Sequence, residues 1–277
     1  MSRAAGGETY AGSLARLSTA QKGSSGAPAY SRFINRRLGR YLAAGAYQLG
    51  MTPNQVTAVS ALFTFAGIAV IAFVPTTIWS AVAVVLLLVI GYALDSADGQ
   101  LARLRGGGSP AGEWLDHVID ATKIGVLHLA VFGNWLREPQ GREAVLGVPL
   151  AYEVVAAVAF FAIVLTDQLR RAQHVRTGIP TRGSRRTSAL YSLAVVPTDY
   201  GLMCLAFVLL AWPLGFTVVY IAFFAANTLY LLLALPKWFR ELKGLGELPD
   251  AGAASASAAS DTGLAASDTG LAAEARP

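Results

Sequence analysis

Six long apolar stretches, at about residues 53–75, 76–104, 110–136, 147–175, 190–212 and 215–241, constrain this chain more than anything else in it. Each is long enough to cross the roughly 30 Å hydrocarbon core of a bilayer. The composition agrees: of 277 residues, 54% are hydrophobic and 14% charged, whereas charged residues make up about a quarter of a soluble domain. Ahead of the first stretch, Tyr30–Leu42 sets Phe33, Ile34, Leu38, Tyr41 and Leu42 at helical spacing among Arg32, Arg36, Arg37 and Arg40. That is the pattern of a basic amphipathic helix lying in the headgroup layer, and an ordinary solvated basic face would share it. The expected fold class is all-α, a polytopic membrane protein of six transmembrane helices with an N-terminal amphipathic interfacial helix.

Lysine and arginine set the orientation. Arg32, Arg36, Arg37 and Arg40 precede the first span, and Arg103 and Arg105 follow the second. Arg170, Arg171, Arg176, Arg182, Arg185 and Arg186 follow the fourth, and Lys237, Arg240 and Lys243 close the sixth, whereas the other side receives only Arg137 and Arg142. By the positive-inside rule both termini and the loops after spans two and four are expected in the cytoplasm, with the protein in the cell membrane. The start of the chain is polar and Gly/Ser-rich to about Ala27 and lacks the apolar core of a cleaved signal peptide. The end repeats Ser260–Ala266 as Ser267–Ala273, with too few large apolar residues for a coiled-coil seam. The expected organisation is a disordered tail over 1–27, a transmembrane domain over 28–243 and a disordered tail over 244–277. The single cysteine, Cys204, excludes an internal disulfide framework and a Cys-rich zinc site, and its apolar surroundings imply packing. The net charge of +5 suits anionic lipid or a phosphorylated substrate without choosing between them.

Chemistry concentrates where the second span closes, at Asp95-Ser96-Ala97-Asp98-Gly99-Gln100-Leu101-Ala102-Arg103, and where the third opens, at Gly112-Glu113-Trp114-Leu115-Asp116-His117-Val118-Ile119-Asp120. At about 100° per residue, Asp95, Asp98, Gly99 and Ala102 share one helix face, and Gly112, Asp116 and Asp120 share one face of the next. The short loop 105–109 makes the two helices antiparallel neighbours, and Ser109-Pro110 reads as a cap and first turn. Four carboxylates in a low-dielectric space cannot all stay ionised unaided, so a cation is expected. Oxygen ligands without a His or Cys cluster favour Mg²⁺ or Mn²⁺, and four carboxylates suit two ions bridging a phosphate. Gly99, with small Ala102 on the same face, would let a nucleotide lie against the backbone, and Arg103 can bond a phosphate. The competing reading has the acids paired with arginines as structural glue, which requires no such register across two helices.

The pattern Asp95-x2-Asp98-Gly99-x2-Ala102-Arg103-x8-Gly112-x3-Asp116-x3-Asp120 resembles, at every defining position, the signature of the CDP-alcohol phosphotransferase family. The six-span layout with its interfacial helix is similar to that family's architecture over about residues 30–243. The resemblance implies transfer of a phosphatidyl or substituted phosphate group from a CDP-linked donor to an alcohol with release of CMP, in phospholipid biosynthesis. It implies that Asp95, Asp98, Asp116 and Asp120 hold two divalent ions, and that Asp120 is also the catalytic base for the acceptor hydroxyl. Gly99, Ala102, Arg103 and Gly112 would line the CDP pocket. Pro53, Asn54 and Thr57 would join them, because Thr52-Pro53-Asn54-Gln55-Val56-Thr57 looks like the family's segment beside the cytidine. Arg185 and Arg186 are the expected acceptor-phosphate residues. The partners so implied are CDP-diacylglycerol as donor, an alcohol such as inositol phosphate or glycerol phosphate as acceptor, the lipid bilayer and a second copy of the chain, with no nucleic acid.

His117 and His128 are read as packed histidines. Lys123, Asp167 and Asp199 stay unassigned, for want of a partner visible at helical spacing. The alternative function is an ion carrier using the intramembrane aspartates. A transporter would be expected to place its acids near the bilayer midplane in two corresponding halves, whereas these cluster at one mouth with no counterpart in spans four to six.

Overall fold

The computed structural model describes residues 9–19, 29–177 and 198–244, and these are helical throughout with short connections. In order they form α1 (Tyr10–Thr19), a π-helical turn (Ser31–Asn35) running into α2 (Arg36–Gln48), α3 (Pro53–Phe73), α4 (Ile78–Leu104), α5 (Pro110–Arg137), α6 (Val148–Thr177), α7 (Tyr200–Ala206) and α8 (Pro213–Lys243). Local chemistry explains the helix starts. Thr52 and Gln55 cap α3 reciprocally with Pro53 in its first turn, Thr77 and Ser80 do the same for α4, and Ser109 accepts the Gly112 N–H ahead of α5.

Four helical segments, Pro53–Phe73, Ile78–Leu104, Glu143–Arg176 and Pro213–Lys243, are long and apolar enough to cross a membrane. The 28-residue α5 has the length, but its acidic and basic side chains dilute its apolar character. Of the stretch expected to span over 190–212, the described part is a short apolar helical segment, Tyr200–Ala211, and the rest lies outside the described residues. Arg185, Arg186 and the C-terminal repeat also lie outside them.

Packing follows membrane rules, with small residues at the closest approaches. On α4, Gly91 meets α3, where Ser60 Oγ donates to its carbonyl at 2.8 Å and a Cβ would run into Thr64. On α2, Gly39 lies against α4, where a Cβ would sit 2.7 Å from Ser96 Oγ. Bonds from Gln100 Nε2 to the Arg36 carbonyl (3.1 Å) and from Asn35 Nδ2 to the Tyr92 carbonyl (3.0 Å) fix α2 along α4. With that face docked, Phe33, Ile34, Leu38, Tyr41 and Leu42 remain exposed, as an interfacial helix requires. The main core joins Ile71, Val84, Leu88, Val131, Trp135, Phe207, Phe216 and Tyr220. Exposed Phe73, Trp79 and Trp212 ring the far end, where Arg137 donates to the Ala72 and Val74 carbonyls at the end of α3 and Arg142 to those of Glu138 and Pro139. The two arginines that depart from the charge bias are thus engaged in closing helix ends.

One expectation is overturned. Residues 10–19, inside the stretch read as a disordered tail, form α1, which packs on α2 and α4 with Leu17 and Ser13 buried. Tyr10, Leu14 and Leu17 recur at helical spacing, a short amphipathic pattern obscured by the surrounding glycines and serines.

Candidate active site

The acidic segments meet because α4 and α5 are joined by Arg105–Ser109, in which Gly106 (φ 97°) and Gly107 (φ 132°) turn the chain through a region that side-chain-bearing residues rarely adopt. Asp95, Asp116 and Asp120 each offer one carboxylate oxygen, all within 4.8 Å of one another. Oxygens on opposite sides of a hard divalent cation lie about 4 to 5 Å apart, twice the metal–oxygen distance, so this donor set fits Mg²⁺ or Mn²⁺ by spacing and by chemistry. Asp98 stands apart from the trio. It is buried and accepts a 2.6 Å hydrogen bond from Thr57 Oγ1, whose hydroxyl is also 3.1 Å from the Pro53 carbonyl.

The four carboxylates are divided between two cavities. A cleft of about 880 Å³ opens between α3, the end of α4 and the start of α5, and its wall includes Asp98 and Asp116. Every residue expected to bind the donor lines it: Pro53, Asn54 and Thr57 from α3, Gly99, Ala102 and Arg103 from α4, and Gly112 from α5. The two glycines serve different ends. A Cβ on Gly99 would touch only Arg103, at 3.7 Å, so its backbone is open to the cleft, whereas a Cβ on Gly112 would press on Asn54 Oδ1 at 3.1 Å. Asp95 and Asp120 line a second, inner chamber of about 210 Å³, walled by Thr64, Tyr92, Phe160 and Tyr200.

Lys123 also belongs here. Its ammonium is 2.6 Å from Asp95 Oδ1 and 3.0 Å from Asp120 Oδ1, tying α4 to α5 at the floor of the chamber. One ammonium offsets one of four carboxylate charges, so the site keeps its demand for further cations. This corrects the expectation that Lys123 has no partner at helical spacing, since it follows Asp120 by three residues and shares its face; the partner on α4 is visible only with the helices packed.

Arg105, Glu113 and Arg171 line the cleft as well and were not anticipated there. Arg171, on α6, bonds Glu113 at 2.6 Å and Asp167 at 2.7 Å, so Asp167, too, has an ion partner at helical spacing, four residues on, contrary to expectation. Asp199 caps α7 and accepts the Tyr30 and Ser31 N–H groups at 2.8 and 3.2 Å, a structural role. His128 is buried, stacks on Tyr152 and is 2.7 Å from Tyr220 Oη, and His117 is 3.8 Å from Glu113, so neither joins the carboxylates. Cys204 is fully buried in the main core, as its apolar setting implied.

Comparison with known proteins finds relatives of one kind. A phosphatidylinositol phosphate synthase of Mycobacterium marinum is 36% identical over 110 residues, 40% of this chain and 44% of that protein. One of Corynebacterium glutamicum is 41% identical over 86 residues, 30% of this chain and 36% of that protein. The match thus spans less than half the length of either curated relative. The solved structure of Mycobacterium tuberculosis phosphatidylinositol phosphate synthase with CDP-DAG bound aligns over 74% of this chain and 94% of its own, at 18% identity and a TM-score of 0.44. The family model for CDP-alcohol phosphatidyltransferase matches residues 50–236, from the cap of α3 into α8 and across both halves of the acidic site, and the chain belongs to that family.

Proposed function

We propose that this protein transfers a phosphatidyl group from CDP-diacylglycerol, or a related substituted phosphate from another CDP-linked donor, to the hydroxyl of an alcohol, with CMP as the leaving product. The observation that carries the reading is the carboxylate layer between two cavities, with Asp98 and Asp116 on the cleft and Asp95 and Asp120 on the inner chamber. Such a layer meets a donor on one side and an acceptor on the other, as in-line displacement requires.

On the cleft side, Arg103 and Arg105 supply positive charge for a diphosphate, Gly99 leaves room against the backbone, and Asn54 and Thr57 offer polar edges to the base. Asp95, Asp98, Asp116 and Asp120 would hold divalent cations, which when bound neutralise diphosphate and leaving-group charge. On the chamber side, Asp120 takes the proton that the acceptor hydroxyl loses as its oxygen bonds to phosphorus and the bond to the CMP oxygen breaks. Lys123 holds Asp95 and Asp120 in place, and Tyr92, Phe160 and Tyr200 limit the water that would otherwise compete as acceptor.

The curated relatives, both phosphatidylinositol phosphate synthases, favour inositol phosphate as the acceptor. The asymmetry of lysine and arginine supports a cell-membrane protein whose termini and donor cleft face the cytoplasm. The decisive measurement is CMP release by membranes supplied with CDP-diacylglycerol and, in turn, inositol phosphate, glycerol phosphate and unphosphorylated alcohols. Release with inositol phosphate above the others is expected. No release with any acceptor, from protein that binds CMP, would remove the reading.

A further inference from the structure

Helix α1 lies outside the matched family region, yet it reaches the end of α4 between the cleft-lining Arg103 and Arg105. Besides packing on α2, it bonds the last residue of α4: Arg16 Nη2 donates to the Leu104 carbonyl at 2.8 Å. The final carbonyls of a helix lack partners within it and must find them elsewhere. In α4 the following turn satisfies three, through Arg105 N–H to Leu101 and Ala102, Gly106 N–H to Arg103 and Gly107 N–H to Ala102. The fourth, that of Leu104, is met by α1. A guanidinium at this position also offsets the negative end of the helix dipole.

The rest of α1 fixes that guanidinium. Leu17 enters a buried cluster with Ala43, Ala44, Val56, Ala97, Leu101 and Leu104, which joins α1 and α2 to the last turns of α4. Ser13 is buried and accepts from Gln48 Nε2 at 3.2 Å. Tyr47, packed on the same cluster, places its ring 5.4 Å from the Arg105 guanidinium carbon. The two arginines on the cleft wall, Arg103 in the last turn of α4 and Arg105 at its cap, therefore sit on a helix end held from behind by a segment absent from the matched domain.

We propose that α1 is a brace for the donor cleft and that Arg16 is a positioning residue, acting through the Leu104 carbonyl on Arg103 and Arg105 without touching the nucleotide. The inference rests on the cleft taking a cytidine diphosphate donor, and the test separates the two ideas. The full-length protein in lipid nanodiscs with Mg²⁺ is titrated with CMP, and amide hydrogen exchange is followed over residues 103–108. Arg16→Ala is expected to weaken CMP about 5- to 20-fold while kcat at saturating donor stays within about twofold, and to speed exchange at Arg105, Gly106 and Gly107. Arg16→Lys, which keeps a cationic donor, should recover most of both effects, and Tyr10→Phe, which removes the exposed bond to the Tyr41 carbonyl, should match wild type. Should Arg16→Ala fail to fold, Arg16→Gln, with a shorter donor, is read in the same way. Unchanged CMP affinity and exchange in a folded Arg16 variant would overturn the brace, as would a lowered Tm with unchanged affinity, the mark of a helix that only adds glue. Wild-type protein that binds no CMP would instead count against the donor reading, and the exchange arm would still decide whether Arg16 holds the end of α4.

Discussion

Asp120→Asn tests the chemistry most directly, because the structure separates its expected effect from a loss of assembly. The asparagine oxygen can still accept from Lys123, now 3.0 Å from Asp120 Oδ1, and Lys123 keeps its 2.6 Å partner on Asp95, so the tie between α4 and α5 survives. Asp98 and Asp116, which face the cleft, are untouched, so donor binding should change by no more than about threefold. What disappears is basicity on the chamber side, together with one charge of the ligand trio, which saturating metal offsets. A positioned base contributes about 10² to 10⁴ in rate, about 3 to 5 kcal/mol of barrier, and kcat for CMP release should fall by that factor. Asp95→Asn also removes a member of the ligand trio, but takes with it the closer partner of Lys123 and so loosens the tie that holds Asp120 as well, and it should weaken metal and donor together. Purified protein in nanodiscs, assayed for CMP release at saturating metal and donor beside a CMP-binding titration, distinguishes the two. Turnover of Asp120→Asn within a few-fold of wild type would refute the base assignment even if the metal site stood.

Thr57→Val keeps the shape at α3 and removes the hydroxyl that holds Asp98, so affinity for CMP with Mg²⁺ should fall about tenfold, read by titration calorimetry. Gly91→Ala would bring a Cβ to 3.1 Å from the Thr64 backbone nitrogen and 3.2 Å from the Ser60 carbonyl, neither of which can yield cheaply; a loss of about 1 to 3 kcal/mol should appear as a lower Tm. Excess EDTA should abolish CMP release and added Mn²⁺ restore it, since the ligand set is made of hard oxygens; full activity in protein confirmed metal-free would contradict this. A cysteine placed at Gly141 should react with an impermeant label on intact cells and one at Ser109 only after permeabilisation, and the reverse result would invert the topology.

Much of the site was legible in the sequence because it is built from local spacing. Asp95, Asp98 and Gly99 share a face of one helix, as do Gly112, Asp116 and Asp120 of the next, for reasons that lie in the 3.6-residue repeat and hold wherever the helices are placed. The caps at Thr77 and Ser109 and the short Gly-rich loop bring the two helices back toward one another, but they do not pack as the antiparallel neighbours expected: both lie on α3, and the acidic faces look across the space between them. Sequence spacing therefore determined the helices and which acids share a face, and the resemblance to the family named the residues that the structure gathers along the cleft.

Tertiary structure alone decided what each carboxylate faces. Helical spacing puts Asp95 and Asp98 on the same side of α4, but the rotation of that helix on α3 turns Asp98 to Thr57 and the cleft, and Asp95 to Lys123 and the inner chamber. The bond from Arg16 to Leu104 is of the same kind, joining residues 88 apart in the chain, where no periodicity relates one to the other. Such pairings depend on crossing angles and side-chain volumes at several helix contacts at once, and so they exist only once the helices have packed.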